Sequence, residues 1–262
     1  MFRALYTAAS GMIAQQLNLD NVANNLANAS TTGFRKSRLQ FQDLMYQSMV
    51  VPGSASTQQT VSSGLQVGLG TRTAASEIIQ TQGEYTNTGN PLDLTIQGAG
   101  FFQVTLPNGT IAYTRDGEFH LDQQGNVVTA NGNPIQPAIT IPTTATNISI
   151  GTDGTVTVTL PNQTQAQQVG TIQLANFPNP GGLLANGQNM FTPTTASGEP
   201  IVGSPGGTDG LGSLQQGMLE QSNVDVVDEF IAMILAQRSY EANSKVVLAA
   251  DQMFQELNNL TT

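Results

Sequence analysis

Apolar residues recur with a helical period at both ends of the chain and with a strand period between them. Near the N-terminus Leu5, Met12, Leu19 and Leu26 fall seven residues apart, with Ala8, Val22 and Ala29 close to the intermediate positions. That is the spacing of a coiled-coil-like seam, interrupted at Gln15. A second stripe runs beside it, Asn18, Asn21, Asn25 and Asn28, at intervals of three, four and three. Ser30-Thr31-Thr32-Gly33 is expected to stop this helix, with Gly33 suited to a left-handed cap. Helical spacing returns after Gly217. Ser222 or Asn223 is the expected N-cap, and Asp225, Asp228 and Glu229 suit the positive end of a helix. Val227, Ile231 and Ile234 form one apolar edge; Leu235, Ala242, Val246, Ala249, Met253 and Leu260 keep mostly three-to-four or seven spacing. A helix of this extent is roughly 50 Å long at 1.5 Å per residue. Its seams need partners, either each other or neighbouring molecules.

Between the helical ends the period changes to two. Residues 49–77 are rich in Gly, Ser, Thr and Gln and read as a linker or extended excursion, with weak strand character at Leu65–Leu69. From Ile78 to about Gly217, turn signals at Asp116-Gly117, Gly125-Asn126, Asn131-Gly132 and Asp153-Gly154 separate short runs. Phe119 and Leu121 alternate there with Glu118, His120 and Asp122, the pattern of an antiparallel meander. The expected class is α+β. Residues 1–77 and 218–262 form a discontinuous helical domain with an extended excursion at about 46–70, and residues 78–217 form a β-rich domain.

Composition narrows the function. Charged residues are 10% of the 262, against roughly 25% in ordinary globular domains. A net charge of −10 argues against nucleic acid, whose phosphates need Lys and Arg. Arg3, Arg35, Lys36 and Arg38 gather near one end, whereas acidic residues predominate after Gly217. There is no cysteine, so thiolate chemistry is excluded. No stretch approaches 18 consecutive apolar residues. Polar Thr7, Ser10, Gln15 and Gln16 interrupt any signal-peptide core, so export by an ordinary cleaved signal is not expected.

Chemistry is sparse. His120 is the single histidine and reads as a half-exposed strand residue. Gly98-Ala99-Gly100 lacks the third glycine and following helix of a dinucleotide site. The stretches at 122–126 and 151–155 lack the oxygen spacing of calcium loops and read as hairpin turns. No catalytic residue, metal site or cofactor is expected. Four asparagines in register can hydrogen-bond across a helix interface. The Arg35, Lys36 and Arg38 group is either a solvated loop or a partner for the acidic start of the C-terminal helix of the same or a neighbouring subunit. A secreted β-sheet binding module with oligomerising helical ends is the rival reading, but with five Tyr and no Trp it offers few platforms for sugar rings.

The stretch SGMIAQQLNLDNVANNLANASTTGFRKSR, residues 10–38, resembles the N-terminal signature of the flagellar rod and hook axial protein family, with Arg35 where Lys is usual. Residues 219–253 are similar to the family's C-terminal signature, including Asn223-Val224-Asp225, Gln237-Arg238, Tyr240-Glu241 and Asn243. Residues 89–142, the total length and the 46–69 stretch resemble distal-rod members rather than hook members, with a proximal rod paralogue as the close alternative. The resemblance implies a structural, self-assembling subunit without catalysis, whose terminal helices line a channel inside an outer β domain. It also implies other rod and hook proteins, bushing-ring proteins and the flagellar type III export apparatus as partners. The implied location is the basal-body rod, from periplasm to outer membrane. Leu5, Met12, Leu19, Val22 and Leu26 are expected to hold the helix pair, with Asn21, Asn25 and Asn28 setting how it meets neighbours or the channel. Gly33 is expected to end the helix so that the chain can turn outward, and Phe34 is a further expected interface residue. On the C-terminal side the expected interface residues are Asn223, Val224, Ile231, Ile234, Leu235, Arg238, Tyr240, Asn243, Val246 and Met253.

Overall fold

Helix α1 spans Phe2–Ala27 and helix α2 spans Val226–Leu260, 35 residues. The computed structural model describes residues 2–50, 55–56, 59–60, 64–161, 165–207 and 210–260. The fold is α+β, as the periodicity predicts. The chain divides into two units, each interleaved in sequence: Met1–Ala27 with Ser37–Glu77 and Asp225–Thr262, and Asn28–Lys36 with Ile78–Val224.

In the first unit α1 and α2 pack against one another. β1 (Ser37–Asp43) pairs with β6 (Thr71–Ile78), β2 (Tyr46–Val50) with β5 (Leu65–Gly68), and the two-residue strands β3 (Ala55–Ser56) and β4 (Gln59–Thr60) with each other. Strand structure here exceeds the linker expected from composition. β1 and β6 are rich in polar residues and mostly exposed, so no alternation of apolar residues announces them. Parts of the 46–70 excursion, residues 51–54, 57–58 and 61–63, lie outside the described residues. α2 starts one turn later than expected. Asp225 is its N-cap, Oδ1 accepting the N–H of Val227 at 2.8 Å and of Asp228 at 3.3 Å. Ser222 and Asn223 lie before it and spend their side chains elsewhere.

In the second unit, β7 (Tyr85–Asn87) pairs with β22 (Met218–Glu220) and β8 (Leu94–Gln97) with β21 (Ser213–Gln216). β11 (Phe119–Leu121) and β12 (Val127–Thr129) form a hairpin, and β14 (Asn147–Ile150), β15 (Thr155–Thr159) and β16 (Gln167–Thr171) a meander. The main sheet joins β9 (Phe101–Thr105), β10 (Ile111–Thr114), β17 (Leu174–Asn176), β18 (Leu184–Gly187), β19 (Met190–Thr192) and β20 (Ile201–Gly203) in the order β18-β19-β10-β9-β17-β20, with β13 (Ile135–Gln136) also on β9. Successive side chains on β9 point to opposite faces. Phe102 enters a core with Phe119, Leu94, Ile96 and Leu174, and Phe101 enters a second with Tyr113, Phe177 and Phe191. The sheet is therefore buried on both sides, which explains why Phe101 and Phe102 are both apolar at its centre.

α1 stops at Ala27 rather than at Gly33. Residues 28–36 and 218–224, expected in the helical domain, belong to the β-rich unit because their backbone partners are there. Gly33 N–H donates to the Glu220 carbonyl at 2.8 Å, and Ile79 N–H to the Lys36 carbonyl at 2.9 Å. Gly33 does adopt the left-handed conformation, φ 67°.

Candidate assembly surfaces

The helix pair of the first unit is joined through small residues. Ala8, Ala14 and Val22 of α1 and Ala236 and Ala250 of α2 are buried, while Leu5, Met12, Leu19 and Leu26 are half-buried. Gly11 lies against Asn243: a Cβ there would sit 2.8 Å from the Asn243 amide nitrogen. Small side chains let two helices approach closely, and on α2 several larger apolar residues fall on another face. Ile231, Ile234, Leu235, Val246 and Met253 are each 46–62% exposed, and Val227 and Phe230 accompany them. At 100° per residue, Val227, Ile231, Ile234 and Leu235 lie on the far side of α2 from Glu229 and Ala236. α1 shows a smaller face of the same kind at Tyr6, Ile13 and Leu17. The β2–β5 hairpin adds Met45, Tyr46, Met49 and Leu65. Arg238 is exposed and meets Glu241 at 3.3 Å; Tyr240 is also exposed.

Asn21, Asn25 and Asn28 of the asparagine stripe are engaged inside the chain. Asn25 is buried. Its Nδ2 donates to the Ser37 carbonyl at 2.9 Å, and its Oδ1 accepts the Ser37 N–H at 3.0 Å. One amide thus occupies both backbone groups of Ser37, as a neighbouring strand would. Asn21 Nδ2 donates to the same carbonyl at 2.8 Å, and Asn25 Nδ2 also reaches Glu229 Oε2 at 3.4 Å. In the second unit Asn28 Oδ1 accepts from the Thr31 hydroxyl at 3.2 Å. Asn223 Oδ1 accepts the Lys36 N–H at 2.7 Å, while its Nδ2 donates to the carbonyls of Ile79 and Thr81, both at 2.9 Å. Phe34 and Val224 are half-buried beside these contacts; the Phe34 carbonyl accepts the Asn223 N–H at 3.4 Å.

Arg35 and Arg38 find carboxylate partners on strands of their own chain. Arg35 and Arg115 converge on Glu220, which lies in β22. Arg35 Nη2 is 2.6 Å from Glu220 Oε1, Arg115 Nη1 is 3.3 Å from Oε2, and all three side chains are at most 6% exposed. Arg35 also donates to the Thr81 carbonyl at 2.9 Å and Arg115 to the Gly98 carbonyl at 2.7 Å. The Arg115 guanidinium sits 5.4 Å from the centre of the Phe101 ring. Burial, followed by the Arg35 charge, draws Arg115 down to about 10. Arg38 pairs instead with Glu77 on β6 at 3.0 Å. Nothing in the composition marked Arg115 or Glu220 as members of one cluster, since they are 105 residues apart.

The histidine and the turn aspartates have local partners. His120 is half exposed, 3.7 Å from Glu118. Asp122 and Asp153 close their turns by accepting N–H groups of Gln124, Asn126 and Thr155. Among the described residues no group of three or more His, Asp or Glu is placed to hold a metal, and no helix is long and apolar enough to cross a membrane.

This arrangement has close relatives. The chain is 50% identical over 260 residues to the flagellar basal-body rod protein FlgG of Caulobacter vibrioides, covering 98% of this chain and 99% of the relative. The chain belongs to the flagellar basal-body rod protein family. It is 48% identical over 261 residues to the rod protein FlgG of Buchnera aphidicola from Schizaphis graminum, at 99% and 100% coverage, and 39% identical over 264 residues to that of Bacillus subtilis, at 99% of each. Three family models match this rod-family chain: a flagella basal body rod protein segment at 5–35, the flagellar hook protein FlgE/F/G D1 domain at 95–158 and the flagellar basal body rod FlgEFG protein C-terminal region at 215–260. The first and last coincide with the stretches that carry the asparagine stripe and α2. The chain is a structural component of the flagellar basal body.

Proposed function

We propose that the chain polymerises into the distal part of the flagellar rod, a rigid hollow shaft that transmits torque from motor to hook without catalysing a reaction. The observation that carries this reading is the far face of α2. Ile231, Ile234 and Leu235 are more than half exposed on a helix whose other face is already covered. A helix apolar on two sides needs a second partner, and a polymer of identical subunits supplies one at every site. The interface residues expected from the sequence divide accordingly. Val22, Asn21, Asn25, Asn223 and Asn243 brace the fold of one chain, whereas Ile231, Ile234, Leu235, Val246 and Met253 meet neighbours. Low charge suits dense packing between copies, where an unpaired buried charge is costly.

Other rod proteins, hook proteins, the bushing rings and the type III export apparatus are the further partners in this reading. The location is the rod, from periplasm to outer membrane. The test is assembly of purified chain followed by electron microscopy. Straight hollow filaments with helical order are expected; a chain that stays monomeric at high concentration overturns the reading. Removing residues 50–63 is expected to yield a more flexible filament, and unchanged bending stiffness counts against a stiffening role for that stretch.

A further inference from the structure

The main sheet of the second unit ends in two unlike edges, β18 and β20, each hydrogen-bonded to one strand of the sheet, β19 and β17 respectively. All four residues of β18 are exposed, and Leu184, Ile201 and Val202 are 58%, 49% and 45% exposed. Edges of this kind are normally blunted by charge, by proline or by a cover. Neither strand contains a charged residue or proline; Glu199 and Pro200 precede β20. The bulge in β18 lies between Ala185 and Gly187 and leaves Leu184 and Ala185 in register with Thr192 and Phe191.

A second observation lies beside β20. β13 and β17 both pair with β9, at Gln103–Val104 and at Phe101–Phe102 respectively. A cleft of about 500 Å³ in this region is lined by Gln103, Gln136, Gln173, Pro137 and Val202, among others, with no charged group. Gln103 is 4% exposed. Gln136 Oε1 is buried without a hydrogen-bond partner. A buried carbonyl left unpaired is costly, so the cleft favours a neutral occupant that brings hydrogen-bond donors.

We propose that β20 and this cleft receive the β18 edge of a second copy of the chain, extending the sheet from subunit to subunit. The β18 edge and the turn after it, Leu184 to Gln188, are uncharged and carry Asn186 and Gln188. Direction fits as well. Each of the five steps from β18 to β20 is antiparallel, so the two edge strands run in opposite directions. A copy placed alongside by translation brings its β18 antiparallel to β20, and the ladder continues unbroken. Contacts between unlike patches propagate into rings or filaments rather than closed dimers. The inference rests on the assembly reading above and adds one of its contacts.

The chain has no cysteine, which makes the test clean. Five strand spacings place β18 and β20 roughly 24 Å apart within one chain, beyond the Cα separation of about 7 Å that a disulfide spans. Leu184→Cys or Ala185→Cys is combined with Ile201→Cys or Val202→Cys, to cover either register, and the reduced polymer is oxidised. A ladder of covalent multimers is expected for at least one pair and for none of the single variants. Val202→Lys is expected to raise the monomer concentration left beside polymer by about tenfold, with unchanged circular dichroism. Polymer that forms but gives no ladder, while both thiols react with maleimide, overturns the edge contact and leaves the rod reading standing. A parent chain that never polymerises overturns both.

Discussion

Arg35 Nη2 lies 2.6 Å from Glu220 Oε1 with both side chains essentially unexposed, and Arg115 holds the other oxygen of the same carboxylate at 3.3 Å. Two buried cations share one anion. Removing the anion is therefore more damaging than removing either cation. Glu220→Gln is expected to destabilise the β-rich unit by about 3–5 kcal/mol, the cost of leaving buried charge uncompensated. Arg35→Met leaves the Glu220–Arg115 pair in place and should cost less. Urea denaturation of the monomer checks the order; equal losses for the two variants count against a shared anion.

Asn25 serves Ser37 as a strand would, one amide meeting both backbone groups. Asn25→Ala leaves the Ser37 N–H without its partner, at about 1–3 kcal/mol, while the Ser37 carbonyl keeps Asn21. Asn25→Asp keeps the shape but removes both donor hydrogens and sets a carboxylate near Glu229. It should therefore be the worse of the two despite being closer in structure. Thermal melts of the two variants at neutral pH decide it.

Gly33 combines a φ of 67° with a near approach: a Cβ there would lie 2.7 Å from the Arg115 carbonyl carbon and the Asp116 nitrogen. Both atoms are backbone and cannot swing aside. Gly33→Ala is expected to cost about 1–3 kcal/mol from the left-handed backbone alone, and more once the backbone shifts. Gly109 is also left-handed, φ 81°, but a Cβ there meets nothing within 4 Å, so Gly109→Ala isolates the backbone component. Parallel urea titrations giving equal losses would show that the Arg115 backbone yields freely.

These sites show what the sequence could and could not disclose. Both helices were legible because Leu5, Met12, Leu19 and Leu26, and later Val246 and Met253, repeat at helical intervals. The covered face of α2 was not, because large apolar residues dominate the pattern while the face that meets α1 is built on Ala236, Asn243 and Ala250. The asparagines were visible as a stripe. Asn21 and Asn25 bond to the main chain of Ser37, and a main-chain acceptor has no signature in residue type. β1 and β6 were hidden by their polar composition. The Arg35–Glu220–Arg115 cluster required a topology that brings β22 back beside residues 33–36, which no local pattern encodes.

Acid affects the turns of the β-rich unit in two directions. Hydrogen bonds from the Asn126 and Thr155 side chains hold Asp122 and Asp153 below the ordinary aspartate value of 3.8. Their contribution is present above 3.8 and is lost as pH falls through their folded values. Burial pushes Asp116 up instead, so its ionised form weakens the fold above that raised value and the penalty is relieved as pH falls through it. Asp116→Asn is expected to stabilise the unit at neutral pH and to reduce its gain on mild acidification. Asp122→Asn with Asp153→Asn should flatten the loss in stronger acid. Urea titrations across pH 2–7 separate the two, and an Asp116→Asn variant with unaltered pH dependence would contradict the assignment.

The two faces of α2 make opposite predictions for folding and assembly. Ile231, Ile234 and Leu235 are 53%, 55% and 62% exposed, whereas Ala236 is 3% exposed. Lysine at the exposed positions removes nothing that the single chain has buried, and surface changes of this kind alter stability by about 0.5 kcal/mol or less. Ile231→Lys combined with Leu235→Lys should therefore leave the monomer's melting unchanged and abolish filaments, since every copy would bring charge into an apolar contact. Ala236→Leu adds bulk to the covered side, where overpacking costs about 1–3 kcal/mol, so it should lower monomer stability before assembly begins. Calorimetry of the monomers and sedimentation of the polymers read the two effects separately. If the lysine pair lowers the melting temperature while Ala236→Leu does not, α2 meets α1 through the face assigned here to neighbouring subunits.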